Sequence, residues 1–233
     1  MNKGYKKEIE KFQEAIGIKL KNIKFLELAF THKSYINENK KSEDNERLEF
    51  LGDAVLELVC TEFLYRNFPE KKEGEMTAIR SALVKKESLC EAAKKLNIGK
   101  LIKLSRGEKA SGGQEKDYIL ANTVEAIIGA IFLDQGMKQA QAFVKKNLLN
   151  KTKQIIKQKL HIDAKSLFQE IAQEKKKTTP SYKVLNEKGP DHSKVFTSGI
   201  FLEEKLVAKG KGSSKQNSEV DAAKNGLKVM KWS

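Results

Sequence analysis

Acidic residues at helical spacing are the first feature of this 233-residue chain that could do chemistry. The segment N-E-R-L-E-F-L-G-D begins at Asn45. At about 100° per residue it places four carboxylates on one helix face: Glu46, Glu49, Asp53 and Glu57. Like charges at these spacings repel, and no lysine stands on the same face to relieve them. A solvated acidic face is the ordinary interpretation of such a pattern, so a structural and a metal-binding role both stay open.

A second segment carries the same kind of chemistry. I-L-A-N-T-V-E-A-I-I-G-A-I-F-L is apolar on every side, which predicts a buried helix. It nevertheless holds Asn122 and Glu125, three residues apart and on one face. A buried carboxylate is costly unless it meets a cation or a donor network. If the two helices pack together, these groups converge with Glu49 and Asp53.

An oxygen-only cluster of that kind suits a hard cation such as Mg²⁺. Magnesium can orient a phosphodiester, lower the pKa of an attacking water and stabilise the leaving oxygen. Structural ion pairing is the alternative that the pattern alone leaves open.

The elements that must position these groups are helices throughout residues 1–150, where apolar residues recur at three- and four-residue spacing. We expect helices over about Glu46–Phe68, Glu75–Leu96 and Met137–Lys157. Thr31 is a candidate helix cap, and Ser105–Lys116 is a basic loop rich in Gly and Ser.

The pattern changes after about residue 160. Ala164 to Lys175 is helical in spacing, and three segments with strand-like alternation follow, separated by turn signals. Ser214 to Met230 returns to helical spacing. This order predicts an independent α+β module behind a basic linker.

The charge is unevenly distributed between these two parts. Of the formal net charge of +14, residues 1–150 carry +5 and the shorter segment 151–233 carries +9. This distribution is typical of a polyanion-binding module joined to a nearly balanced partner, although a merely basic surface is the alternative.

Composition excludes several other classes. Hydrophobic residues are 39% and charged residues 33%, as in soluble globular proteins. The start of the chain is polar, and the apolar run Tyr118–Leu133 is too short to span a bilayer, so we expect a cytoplasmic protein without membrane association. Cys60 and Cys90 are expected to be free buried thiols, and the scattered histidines disfavour a soft-metal site.

Two of these motifs resemble those of a known protein family. N-E-R-L-E-F-L-G-D-A-V-L resembles the signature of the ribonuclease III nuclease domain, and I-L-A-N-T-V-E-A-I-I-G-A-I-F-L-D resembles that family's second acidic motif. The resemblance covers essentially the whole chain. It implies an all-α ribonuclease III nuclease domain over residues 1–152, a basic linker over 153–162, and an α+β (α-β-β-β-α) double-stranded RNA-binding domain over 163–233.

Carried over residue by residue, the resemblance implies a Mg²⁺ site, with Mn²⁺ as a substitute and no small-molecule cofactor. Asp53 and Glu125 are then the catalytic residues. The implied metal ligands are Glu49, Asp53, Asn122 and Glu125, and Glu46 and Glu73 are supporting acids.

Asn122 departs from the family pattern, since many members have Asp there. An Asn carbonyl can still bind Mg²⁺, but the site loses one negative charge. We therefore expect retained activity with a higher Mg²⁺ requirement.

The resemblance also assigns a role to Phe50. The helix projects this side chain near the carboxylates rather than with the apolar arc, which is the opposite side of the same helix. In the family an aromatic residue here inserts into a partner subunit, which implies a homodimer with one metal site for each strand of an RNA duplex. The implied products carry 5′-phosphates and short 3′ overhangs. The implied substrates are rRNA precursors and structured mRNA and tRNA transcripts.

The C-terminal module resembles domains that read the A-form shape of double-stranded RNA. The implied RNA contacts are Gln169 and Glu170 on the first helix, the loop Gly189, Pro190, Asp191 and His192, and Ser214 with Lys215 at the second helix. The chain departs from the family pattern after Lys215: Gln216 and Asn217 replace basic residues, and Ser218 stands where Ala is common.

Three functions compete on these grounds. An endoribonuclease that needs Mg²⁺ leads; a double-stranded RNA-binding protein without cleavage follows, if Asn122 weakens the metal site; a DNA-binding regulator comes third, because no base-reading motif stands out.

Overall fold

The architecture consists of two compact units, as seen in a computed structural model that describes residues 3–40, 42–190 and 193–232. Residues 1–158 form the first unit and residues 159–233 the second. The first unit thus extends past residue 152 into the segment expected to be a linker. The domain bounds 1–152, 153–162 and 163–233 stay a prediction.

The first unit is helical in its described residues, as the spacing predicted. Its helices are α1 Lys3–Ile16, α2 Lys24–Ala29, α3 Lys33–Ile36, α4 Glu46–Asn67, α5 Glu73–Val84, α6 Lys86–Lys95, α7 Arg106–Ala110, α8 Asp117–Gln135, α9 Met137–Asn147 and α10 Thr152–Lys157. Short 3₁₀ segments lie at Ile98–Leu101, Gly113–Glu115 and Leu149–Lys151.

The core of this unit is built around α8. Nearly every residue from Ile119 to Ile131 is buried, which confirms the prediction of a helix that is apolar on all sides. Its main partner is α4, which contributes Leu48, Val55, Leu56 and other apolar residues to the same core. The acidic face of α4 is therefore the face that the core leaves uncovered.

The start of α4 is fastened to the end of α2. Asn45 is buried, and its side-chain Nδ2 donates to the carbonyl of Ala29 at 3.0 Å, while its backbone N–H donates to the carbonyl of Thr31 at 2.9 Å. Since a buried amide without partners is costly, these bonds determine where the acidic face begins.

Two expectations about helix ends were wrong. Thr31 does not cap the following helix: its hydroxyl donates to the carbonyl of Glu27 at 2.7 Å, and the cap of α3 is His32, whose Nδ1 accepts from the N–H of Ser34 at 3.2 Å. The predicted helix Glu75–Leu96 is two helices, because Lys85 takes an extended ψ of 152° and separates α5 from α6.

Two further segments differ from their predicted secondary structure. The predicted helix Met137–Lys157 is divided by the 3₁₀ turn Leu149–Lys151, and the predicted loop Ser105–Lys116 contains α7 and a 3₁₀ turn. Helical spacing continues across such short breaks, so periodicity does not reveal them.

The second unit has the predicted order of one helix, three strands and one helix. Its elements are α11 Ala164–Lys176, β1 Pro180–Lys188, β2 Val195–Leu202, β3 Lys205–Gly212 and α12 Lys215–Val229. The antiparallel sheet has the order β1-β2-β3, and both helices pack against one of its faces around Phe168 and Ile200.

Within the described residues, no helix is both long and apolar enough to cross a membrane. Cys60 and Cys90 are buried free thiols, as expected.

Candidate active site

Two glycines bring the acidic helix and the buried helix into backbone contact. A Cβ added to Gly52 would lie 1.7 Å from the carbonyl oxygen of Glu125, and one added to Gly129 would lie 2.3 Å from the carbonyl oxygen of Leu48. Neither position can hold a larger residue without moving the helices apart. This crossing sets Glu49 and Asp53 of α4 against Asn122 and Glu125 of α8.

The side chains at this crossing influence one another electrostatically. Burial is the largest cause that raises the pKa of Glu125 to about 7, and the negative charges of Asp53 and Glu49 contribute to the same rise. Burial is also the largest cause of the raised pKa of Glu49, with Glu46 and Asp53 adding to it, while the amide of Asn122 opposes the shift by donating a hydrogen bond to the Glu49 carboxylate. The structure therefore brings together the four groups that the sequence proposed.

The acidic face is less purely acidic in space than in sequence. Lys33 of α3 pairs with Glu46 at 3.1 Å, and Arg80 of α5 pairs with Glu57 at 2.9 Å. As the sequence indicates, no lysine stands on this face of α4 itself, and both cations come from other helices. They neutralise the two ends of the face, whereas within the described residues no Lys or Arg is ion-paired with Glu49, Asp53 or Glu125.

The described residues contain no ready-made metal cluster. Within the described part of the chain, no three His, Cys, Asp or Glu side chains already form a group that could hold a metal ion. What fits a hard cation is the chemistry of the donors, which are carboxylate and amide oxygens, together with a partly buried Glu125 whose charge has no basic partner among those residues.

Glu73 lies away from this group in the single chain. It begins α5, accepts a hydrogen bond from the Thr77 hydroxyl at 3.0 Å, and lines a small pocket with Thr61 and Tyr65 of α4. Thr61 stands eight residues after Asp53, which is about 12 Å along a helix. The position of Glu73 therefore gives no support to a role beside the acidic residues at the crossing of α4 and α8 in the same chain.

Phe50 is the most exposed large apolar side chain among the described residues, at 82%. It borders a groove lined mainly by apolar side chains of α2, α3, α4 and α8. These include Phe25, Leu28, Ile36, Leu48, Leu51 and Leu133. The prediction that Phe50 points away from the apolar arc is confirmed.

The predicted RNA-contacting residues that the structure describes in the second unit are exposed or partly exposed. Gln169 and Glu170 are exposed on α11 and line a shallow groove there with Gln173. Gly189 follows β1 with φ of +102°, and Pro190 follows it. Asp191 and His192 lie outside the described residues.

The start of α12 is capped by Ser214, whose hydroxyl accepts from the N–H of Asn217 at 3.1 Å, and Lys215 follows it, exposed. Ser218 is fully buried, and its hydroxyl donates to the carbonyl of Lys215 at 2.7 Å and lies 2.6 Å from the hydroxyl of Ser198. This pair satisfies both hydroxyls, which explains how a polar residue is accommodated where Ala is common.

Comparison with known proteins agrees with both units. Residues 22–152 match the model of the ribonuclease-III-like family, and residues 164–230 match the double-stranded RNA binding motif. The chain belongs to the ribonuclease III family. As a family member with both domains, it is an endoribonuclease that acts on double-stranded RNA.

Relatives extend over nearly the whole chain. Ribonuclease 3 of Carboxydothermus hydrogenoformans is 42% identical over 228 residues, covering 97% of each chain. Ribonuclease 3 of Borreliella burgdorferi is 43% identical over 226 residues, covering 97% of this chain and 92% of that protein. The nuclease domain of ribonuclease III from Campylobacter jejuni is 43% identical with a TM-score of 0.56, over 60% of this chain and 97% of that one.

The sequence analysis did not identify the residues that position the acidic side chains at the crossing of α4 and α8. Gly52 and Gly129 make the close helix crossing, and Lys33 and Arg80 pair with the outer acids. A usable signal existed for the glycines, because a glycine inside a helix costs about 1 kcal/mol relative to Ala and therefore indicates close packing. No comparable signal exists for the two cations.

Proposed function

We propose that this ribonuclease III family member is a Mg²⁺-dependent homodimeric endoribonuclease. It cleaves double-stranded RNA into products with 5′-phosphates and short 3′ overhangs, and it processes rRNA precursors and structured mRNA and tRNA transcripts. The observation that carries the proposal is the helix crossing at Gly52 and Gly129, which sets three carboxylates and one amide beside each other with no basic partner for Glu125 among the described residues.

The metal ligands proposed are Glu49, Asp53, Asn122 and Glu125. A bound Mg²⁺ would act as a Lewis acid on the phosphodiester and favour deprotonation of the attacking water. The chain itself supplies the orientation: Asn122 holds the Glu49 carboxylate by a hydrogen bond, and the backbone contact at Gly52 keeps Asp53 beside Glu125. Burial of Glu125 withdraws its carboxylate from water and so strengthens its preference for a cation.

The homodimer rests on Phe50 and its surroundings. A large exposed aromatic side chain beside an apolar groove is typical of an interface. Leu58 and Tyr65 are 56% and 73% exposed and lie within about 80° of Phe50 around α4. The three side chains form an exposed apolar stripe on this helix. The related nuclease domain from Campylobacter jejuni is described as having a region involved in dimer formation.

The RNA-binding unit is proposed to contact duplex RNA through the exposed side of α11, the segment after β1 and the start of α12. The N-terminus of α12 offers backbone N–H groups and Lys215 to a phosphate. Location in the cytoplasm stays a prediction.

One incubation separates the competing functions. A long RNA duplex is mixed with the chain, with and without Mg²⁺. Short duplex products with 5′-phosphates, formed only with Mg²⁺, support the proposal. Binding without products indicates a non-cleaving RNA-binding protein, and a preference for B-form DNA contradicts both.

A further inference from the structure

The register of the sheet places Glu187 beside two proposed RNA-contacting segments. Glu187 in β1 pairs with Phe196 in β2, which pairs with Gly212 at the end of β3. The segment after β1 returns into β2 through Lys194, and Gly212 leads directly into the start of α12. Glu187 therefore lies in the row of paired strand residues that connects these two segments.

The carboxylate of Glu187 engages a lysine from each segment. Its Oε1 lies 3.7 Å from Nζ of Lys215, and its Oε2 lies 3.8 Å from Nζ of Lys194. The side chains of all three residues remain partly open to solvent, with 38% of the Glu187 side chain exposed. Long, solvated ion pairs of this kind are weak and exchange readily for a stronger anion.

Two further features of the start of α12 favour the binding of an anion. No acidic residue stands in its first turn. The backbone N–H groups of Lys215 and Gln216 have no acceptor within the described residues, because the Ser214 side chain bonds to Asn217 and its carbonyl to Ser218. Unsatisfied N–H groups at a helix start favour negative charge there.

We propose that Glu187 is an intramolecular competitor of RNA: its carboxylate stands, in the RNA-free protein, where a phosphate between Lys194 and Lys215 binds in the complex. The inference rests on the proposed RNA contact of Lys215. Duplex binding then exchanges two weak ion pairs for contacts with a phosphate, so Glu187 lowers affinity. A residue that merely oriented the lysines would have the opposite effect.

The test measures binding of the full chain to a labelled RNA duplex of about 16–20 base pairs by fluorescence anisotropy, in EDTA to prevent cleavage. Glu187→Gln is expected to bind about three- to five-fold more tightly than the unaltered chain. Glu204→Gln is the matched control, because it removes the same charge from the exposed turn between β2 and β3. It is expected to change affinity by less than about two-fold.

Glu187→Asp separates competition from bulk charge. It keeps the charge but is one methylene shorter, so it loses the contacts near 3.7 Å and is expected to raise affinity as well. Lys215→Ala is expected to weaken binding and to remove at least half of the gain from Glu187→Gln when the two are combined.

The outcomes distinguish the two proposals. No duplex binding by the unaltered chain contradicts the proposed function itself. Duplex binding with equal gains from Glu187→Gln and Glu204→Gln, with no gain from Glu187→Asp, or with weaker binding of the Glu187 variants overturns the inference alone. Lys215→Ala binding that matches the unaltered chain also overturns it.

Discussion

Asn122 differs from its neighbours at the helix crossing because it donates a hydrogen bond as well as offering an oxygen. Its amide bonds to Glu49, which an ionised Asp cannot do. The residue therefore relieves repulsion among the acids in the metal-free protein, and it would bring one negative charge fewer than Asp to a bound metal.

We expect Asn122→Asp to lower the Mg²⁺ concentration for half-maximal cleavage by about three- to ten-fold and to lower the melting temperature in EDTA. The added charge strengthens cation binding, while loss of the bond to Glu49 leaves like charges opposed. Cleavage of an RNA duplex titrated with Mg²⁺, and thermal melting, measure the two effects.

Asn37→Asp, at an exposed position beyond α3, adds the same charge elsewhere and serves as the control. Coincident Mg²⁺ curves for Asn122→Asp and the unaltered chain would exclude Asn122 as a ligand.

Glu125 makes a pH-dependent contribution to the metal-free protein. Its pKa rises from 4.5 to about 7 on folding. A raised pKa favours the protonated folded form, so there is no penalty on the free energy of folding well below pH 4.5. The penalty grows as the pH rises from 4.5 to about 7 and stays constant at higher pH.

Glu125→Gln should therefore stabilise the metal-free protein by about 1–2 kcal/mol more at pH 8 than at pH 5, after allowance for solvent around the group. It should also reduce cleavage by at least about 100-fold, because a proposed ligand is lost. Denaturant unfolding in EDTA at the two pH values gives the stability difference, and cleavage is measured with excess Mg²⁺. Glu87→Gln on the exposed side of α6 should show neither effect, and equal stabilisation of Glu125→Gln at both pH values would contradict the prediction.

The contact between α4 and α8 is the structural element on which the proposed active site depends. The two helices touch through backbone at Gly52 and Gly129, so the positions of the acids follow from the closest point of the crossing. Small changes of helix separation are transmitted directly to the distance between Asp53 and Glu125.

Gly129→Ala is expected to lower stability by about 2–3 kcal/mol and to reduce cleavage. Its added methyl would meet the carbonyl of Leu48 at 2.3 Å, and the helices must separate to relieve this contact. Denaturant unfolding and cleavage at saturating Mg²⁺ measure the two effects.

Gly74→Ala in α5 is the matched control, since a Cβ there meets nothing within 4 Å and is expected to leave stability unchanged or slightly raised. Full cleavage activity in a folded Gly129→Ala variant would show that the crossing does not position the site.

Assembly of the whole molecule is proposed to depend on the exposed stripe of α4. Phe50→Ser should convert the protein from a dimer to a monomer in sedimentation velocity, because the anchor at the groove is lost. It should also abolish the paired cuts that leave short overhangs, since each duplex strand needs its own site. Val229→Ser, at a 63% exposed position on α12, should leave the mass unchanged. A monomeric unaltered chain would contradict the proposed dimer.

The sequence by itself determined the fold class, the order of elements in the second unit and the identity of the four groups at the crossing. Periodicity reports which side of an element is apolar, and Asn122 and Glu125 stand out because polar groups in an apolar helix require partners. The resemblance of two long motifs added the family, which the comparisons confirmed.

Only the tertiary structure decided which charges meet. Lys33, Arg80 and Glu187 lie far in sequence from at least one of the groups they pair with, so no local pattern could reveal those ion pairs. The same holds for the break at Lys85 and for the place of Glu73, because each depends on how neighbouring helices pack. Local periodicity determines elements, but contacts between distant segments depend on the geometry of packing.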